Sequence, residues 1–134
     1  MRTLTLFLTL VFFTFIFPSC SSHDPEPYDP RTQYTGTYNV SEFSRDMNVT
    51  TTFVIEVALS KADDTTIVIS NFYNAGISAF AVVLGNKITM PTQAYSTLLI
   101  SGYGSLNNRV LNLNYQIDHQ NGSIEVLDAV CTKR

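Results

Sequence analysis

Apolar and polar side chains alternate with a period of two through most of the chain after Tyr34. In the segment "VTTTFVIEVALS" the more polar face includes Glu56, and the other face carries Val49, Phe53, Ile55, Val57 and Leu59. Such alternation predicts a half-buried β-strand. No apolar pattern of helical spacing persists for two turns in this part of the chain. We therefore expect a domain made of strands throughout.

Seven further segments show the same character, and short turn signals separate all eight. The other segments are "YTGTYNVSE", "TTIVISNFY", "ISAFAVVL", "KITMP", "AYSTLLISGYG", "RVLNLNYQID" and "SIEVLDAVCTKR". Gly85-Asn86 predicts a two-residue hairpin loop, and "HQNG" predicts a hairpin because Asn-Gly accepts positive φ. The residues "PTQ" at 91–93 are expected to separate the fifth strand from the sixth.

The short connections decide the predicted topology. None is long enough for a helical crossover, so neighbouring strands should pair antiparallel. Eight strands in a meander can close into an up-and-down barrel, which leaves no exposed strand edge. A two-layer β-sandwich is the alternative for the same strands.

The beginning of the chain has the character of a secretory signal. Arg2 is followed by an apolar run over 4–17, which is too short for a membrane-spanning helix of ~20 residues. "FPSC", ending at Cys20, resembles the lipobox of bacterial lipoproteins, with Phe17 in place of the usual Leu. The resemblance implies cleavage before Cys20, a diacylglycerol thioether on its sulfur, and a membrane anchor that more than one acyl chain makes stable.

These signals divide the chain into three parts. Residues 1–19 are the predicted signal peptide, 20–33 the lipidated cysteine with a Pro-rich tether, and 34–134 the β-domain. The tether "SSHDPEPYDPRTQ" should be extended and solvated. We expect the protein in a bacterial cell envelope, lipid-anchored at the outer membrane.

Charge and composition exclude several classes of partner and cofactor. The formal net charge is −3 and no basic run occurs, which argues against nucleic acid. The two histidines and two cysteines give almost no material for a metal or redox site, and we expect no cofactor. Cys131 is then a lone thiol, and its strand context favours burial.

The first strand also carries a family resemblance. The run Tyr34-Thr35-Gly36-Thr37-Tyr38 is similar to the Gly-x-Trp start of lipocalins and related calycin barrels, with Tyr38 in place of the tryptophan. In that family a basic residue near the last strand covers the aromatic ring, and Lys133 or Arg134 would match it. The layout over 34–134 resembles small lipocalin-like envelope lipoproteins, which implies the fold and the location.

The residues do not indicate catalysis. His119 is the only histidine after 33, and we expect it to be a solvated loop residue rather than half of a dyad with Asp118. Glu56 and Glu125 fall on the more polar strand faces, so we interpret both as solvated instead of converging across a cleft. We expect a protein that is not an enzyme.

Two binding functions remain open. The barrel could hold a small apolar or amphipathic ligand lined by Tyr38, Phe53, Tyr95, Tyr103 and Tyr115. The competing interpretation is that such residues fill the core and the protein acts as an interaction subunit or inhibitor in the envelope. Phe72 and Tyr73, beside a turn, would then be candidate interface anchors.

Overall fold

The structure is a computed structural model, and it describes residues 26–134. The predicted signal peptide, Cys20 and the start of the tether lie outside the described residues. A short 3₁₀ helix and eight strands follow one another along the chain: η1 Pro30–Tyr34, β1 Gly36–Ser44, β2 Val49–Leu59, β3 Thr66–Phe72, β4 Ile77–Leu84, β5 Lys87–Tyr95, β6 Leu98–Asn107, β7 Val110–Asp118 and β8 Ile124–Lys133.

The eight strands form one closed antiparallel barrel in sequence order. β1 pairs with β2 on one side and with β8 on the other, where the register runs from Tyr38 opposite Lys133 to Ser44 opposite Leu127. The predicted up-and-down barrel is therefore confirmed, and the sandwich alternative is wrong. Among residues 26–134, no helix has the length and hydropathy needed to cross a membrane.

The period-two pattern puts one face of every strand into a single interior. Val40, Ile55, Ile69, Ile117 and Leu127 are examples of side chains that are almost fully buried there. Neighbouring strands contribute facing residues because directly paired residues in a sheet point to the same side. The predicted burial of Cys131 is confirmed, since it is a free cysteine with no exposed surface.

The fifth strand is longer than the sequence indicated. Residues 91–93 were expected to form a turn, but β5 continues through Pro91 to Tyr95 with an irregularity in its pairing to β6 between Met90 and Gln93. A proline is tolerated at such a bulge because it has no N–H to pair. The Gln93 side chain compensates by accepting from the backbone N–H of Phe80 and donating to its carbonyl, at 2.8 and 2.9 Å.

The helix η1 closes one end of the barrel. The Tyr34 hydroxyl and the Gln33 amide both donate to the carbonyl of Gly85 in the β4–β5 turn. Arg31 pairs with Asp29 and donates to the Asp63 carbonyl in the β2–β3 loop, at 2.8 Å. Residues 30–33, which the sequence analysis assigned to the tether, thus belong structurally to the barrel.

Tyr38 lies under η1 and is fully buried. Its hydroxyl donates to the Tyr34 carbonyl at 2.7 Å, and the Lys133 ammonium lies 5.9 Å from the centre of its ring. Gly36 makes room for this lysine, because a Cβ there would lie 2.9 Å from the Lys133 Cε. The basic residue expected near the ring is therefore Lys133, whereas Arg134 donates to the exposed Asn39 side chain.

Candidate functional site at the barrel mouth

Two glutamates lie inside the end of the barrel opposite η1, which we call the mouth. Glu42 on β1 and Glu125 on β8 are each only 5% exposed. Glu42 shares its strand face with Tyr38 and Val40, and Glu125 shares its face with Leu127. The inference that Glu125 is solvated is wrong, whereas Glu56 is exposed on the outer face of β2 as expected.

Glu42 is held by a tyrosine from β7, the strand on the far side of β8. The Tyr115 hydroxyl, itself buried, donates to Glu42 Oε2. Burial raises the pKa of Glu42, the Tyr115 hydrogen bond opposes that rise, and the negative charge of Glu125 adds to it. Burial and the neighbouring Glu42 carboxylate also raise the pKa of Tyr115, so its hydroxyl stays a donor.

Glu125 is only half satisfied. The Tyr73 hydroxyl donates to Glu125 Oε2 at 2.6 Å, and burial followed by this contact raises the pKa of Tyr73. The other oxygen, Glu125 Oε1, is buried and has no hydrogen-bond partner. Leaving a buried acceptor unsatisfied costs about 1–3 kcal/mol, and more when it is charged. Such an atom in a folded protein calls for a partner.

His119 approaches the same carboxylate from the β7–β8 loop. Its Nε2 lies 3.7 Å from Glu125 Oε2, a pair that is ionic only when the imidazole is protonated. The side chain is 31% exposed, so His119 is a loop residue as expected, but it is half-buried and not simply solvated. Asp118 does not join it, because Asp118 Oδ1 accepts from the backbone N–H of Gln120.

A pocket of about 360 Å³ opens over the two carboxylates. Its walls combine the polar groups with apolar side chains from the β1–β2 and β3–β4 turns, and it is lined by Glu42, Ser44, Met47, Val49, Thr51, Tyr73, Asn74, Ala75, Glu125 and Leu127. The barrel interior below is filled, apart from a void of about 10 Å³ between Glu42, Cys131 and their neighbours. We call the larger space the mouth pocket.

The five residues predicted to line a ligand cavity are dispersed in the structure. Tyr38 is packed under η1, and Tyr95 lies half-buried at the end of β5, with its hydroxyl donating to Gln93. Phe53 and Tyr115 line the small interior void, and each also lines a larger pocket, of about 460 and 500 Å³ respectively. Tyr103 is 63% exposed on the outer face of β6, where it lines the pocket of about 500 Å³ together with Tyr115 and does not enter the barrel interior.

Of the two residues predicted as an interaction patch, Phe72 is not at the surface. Phe72 is 1% exposed, and its ring packs against Tyr115 with the ring centres 4.6 Å apart. Asn71, with φ of 57°, lies where the β3–β4 register shifts, and Phe72 is the inward residue beyond it. Tyr73 follows and reaches Glu125, so both side chains turn toward the interior and not toward a partner.

Sequence reasoning missed Glu42, although a signal was present. Tyr38 and Val40 alternate in the segment "YTGTYNVSE", and continuing that face by two residues reaches Glu42. A weaker signal existed for Glu125, which lies on the same face of its strand as Cys131. Its strand has apolar residues on both faces, for example Val126 outward and Leu127 inward.

The site does not resemble a metal centre. Within residues 26–134, no group of three or more His, Cys, Asp or Glu side chains is arranged to hold a metal ion. What the mouth pocket offers is a pair of carboxylates, one with a free acceptor, beside tyrosine hydroxyls and apolar walls. Carboxylate and hydroxyl oxygens of this kind can accept hydrogen bonds.

Comparison with known proteins supports the fold and gives no family. No family model matches the chain, and no curated protein matches it. Among solved structures the chain is similar to a redesigned β-barrel, with a TM-score of 0.57 and 9% sequence identity over 79% of this chain and 96% of that one. At this identity the similarity shows a shared barrel fold alone.

We predict that Glu42→Gln changes the pH dependence of stability. The folded state raises the pKa of Glu42 above its ordinary 4.5, so the wild type should lose stability as pH rises from about that value through the folded pKa. Gln cannot ionise, and the variant should therefore gain stability relative to the wild type across the same window. Urea unfolding at a series of pH values measures this difference.

Glu56→Gln is the matched control, because it removes the same charge from an exposed position. The other titratable groups close to Glu42 in the interior are Glu125, Tyr73, Tyr115 and Cys131, and both variants leave them unchanged. If the difference in stability between Glu42→Gln and the wild type did not change with pH, this result would contradict the burial of the Glu42 carboxylate.

Proposed function

We propose that this protein is a lipid-anchored lipoprotein of the bacterial cell envelope, held at the outer membrane, whose barrel is a non-catalytic module that binds a small ligand. The anchoring part rests on the lipobox-like segment ending at Cys20 and on the Pro-rich tether that follows. The filled space between η1 and the mouth leaves about 10 Å³, so the ligand would bind in the mouth pocket and not in the centre of the barrel.

The observation that carries the binding proposal is the unpartnered Glu125 Oε1. Glu125 lines an open pocket of about 360 Å³, and a ligand bound there could satisfy the buried oxygen after a small displacement of the carboxylate. This volume lies within the range of roughly 300–1,000 Å³ that is typical of small-molecule sites. The Tyr73 hydroxyl already holds the other carboxylate oxygen, which fixes the direction of the free one.

A lipocalin-like relationship is part of the same proposal. Gly36, Tyr38 and Lys133 form the glycine, aromatic and basic group that the resemblance implied, with the ammonium over the ring. This arrangement supports the relationship, and the absence of the tryptophan is the departure from the family pattern.

An interaction subunit or inhibitor is the second candidate function. It is favoured by three apolar side chains that follow one another on the outer face of β4, namely Phe80, Val82 and Leu84, which are 45%, 43% and 81% exposed. Exposed apolar patches on a soluble surface often mark contacts with other proteins. In this reading the filled barrel would serve only as a scaffold.

Cys20→Ser should release the protein from membranes into the soluble fraction. The substitution removes the sulfur that would carry the diacylglycerol, and with it the apolar energy of about 0.8 kcal/mol per buried CH₂. Fractionation of cells followed by immunoblotting measures the distribution, with Ser21→Ala as the neighbouring control. Membrane association that persists in Cys20→Ser would contradict the anchor.

Native mass spectrometry of the protein extracted from its own envelope tests the binding module. We expect a small-molecule adduct that is lost on denaturation and is reduced in a Glu125→Gln variant but retained in Glu56→Gln. A co-purifying polypeptide with no small-molecule adduct would contradict the ligand-binding function and favour the interaction subunit.

A further inference from the structure

Among the described residues, the ionisable side chains that line the mouth pocket are Glu42, Glu125 and Tyr73. Glu42 and Glu125 both line it, and within residues 26–134 neither carboxylate forms an ion pair with a lysine or an arginine. His119 approaches Glu125 Oε2, a pair that is ionic only when the imidazole is protonated, and Glu125 Oε1 is left without a partner. Carboxylates gathered in a partly desolvated cleft attract cations and repel anions.

The hydrogen bonds that the two carboxylates already accept determine which kind of cation suits the pocket. Tyr73 occupies Glu125 Oε2 and Tyr115 occupies Glu42 Oε2. A guanidinium group binds best when both oxygens of one carboxylate are available for two parallel hydrogen bonds. An ammonium group is a compact point charge with three donors, and a single free oxygen suits it better.

The rest of the pocket suits an apolar substituent on that cation. Met47 and Val49 come from the first hairpin, Ala75 from the β3–β4 turn and Leu127 from β8. The Tyr73 side chain also lines the pocket, and its hydroxyl contacts the Glu125 carboxylate. A ligand with a charged head and a small hydrocarbon body would therefore meet matching surfaces at both ends.

We propose that the mouth pocket binds a small primary amine in its ammonium form, with the nitrogen donating to Glu125 Oε1 and the hydrocarbon part packed against Met47, Val49 and Leu127. This inference rests on the proposed binding function and adds the chemical class of the ligand. A divalent metal ion is the less suitable cation, because a hard cation such as Ca²⁺ requires six or more oxygen ligands.

The test uses the full chain in neutral detergent at neutral pH, titrated separately with phenethylammonium chloride, phenethyl alcohol and phenylpropanoate. These three probes share an aromatic body and differ in the charge of the head group. Amide proton–nitrogen correlation spectra give the affinity and the location, through the signals of Asn74, Ala75 and Leu127. We expect saturable shifts at these residues with the ammonium, and binding of the alcohol and the carboxylate weaker by about tenfold or more.

Two substitutions assign the interaction to the pocket. Glu125→Gln keeps the shape of the side chain and removes its charge, and it should weaken ammonium binding by about tenfold or more, while Glu56→Gln should not change it. Met47→Lys adds a cation at the rim and should weaken binding by about threefold or more beyond the effect of Met47→Gln, which removes the same apolar contact without adding a charge. Met47 is 61% exposed, so folding should tolerate both changes.

The possible outcomes distinguish a failure of the amine proposal from a failure of the proposed ligand-binding function. The alcohol, the carboxylate or added Ca²⁺ could instead shift the signals of Asn74, Ala75 and Leu127 with an affinity equal to or higher than that of the ammonium. That result would keep the pocket as a binding site but overturn the proposal that its ligand is an amine. Ammonium binding that Glu125→Gln leaves unchanged would also overturn it. No response of the mouth signals to any of these probes would overturn the amine, and a ligand-free result in native mass spectrometry would then remove the binding function as well.

Discussion

The pairing of the first strand with the last determines the rest of this structure. Because β1 bonds to β8 over seven residue pairs as well as to β2, the sheet has no free edge and encloses one interior. Every second residue of each strand must then point into that interior, whatever its chemistry. At the η1 end this constraint buries Tyr38 under Lys133, and at the mouth it buries Glu42 and Glu125.

The two ends of the barrel satisfy their buried polar groups to different degrees. At the η1 end the Tyr34 and Tyr38 hydroxyls both donate to backbone carbonyls, so this end is closed and complete. At the mouth, two tyrosines satisfy one oxygen of each glutamate, and Glu125 Oε1 remains without a donor. A polar network that is partly satisfied costs stability compared with an apolar core. A cost of this kind is typical of a site that is completed by something the barrel does not contain.

Much of the fold could be predicted from the sequence, because alternation and short turns are local properties. Alternation predicted the inward face of β2, the strand context predicted the burial of Cys131, and the resemblance to the lipocalin pattern suggested Lys133 or Arg134 beside Tyr38. The site was harder to predict, since β8 carries apolar residues on both faces and Glu125 lies at its start, where it pairs with Ile117 of β7. Tyr103 was misassigned because its aromatic character was given more weight than its position along the strand. It lies three residues after Ile100, which points inward, so Tyr103 is on the outer face of β6.

The most direct test of this account is a carboxyl-carbon NMR titration of Glu42 in the intact protein. The account predicts that this carboxyl group titrates above the ordinary value of 4.5, because burial beside Glu125 disfavours its charged form. It also predicts that Tyr115→Phe raises the midpoint further, since the hydroxyl that stabilises the carboxylate is removed. A midpoint at or below 4.5, unchanged in Tyr115→Phe, would mean that Glu42 is in water, and it would contradict the buried pair of carboxylates on which the site depends.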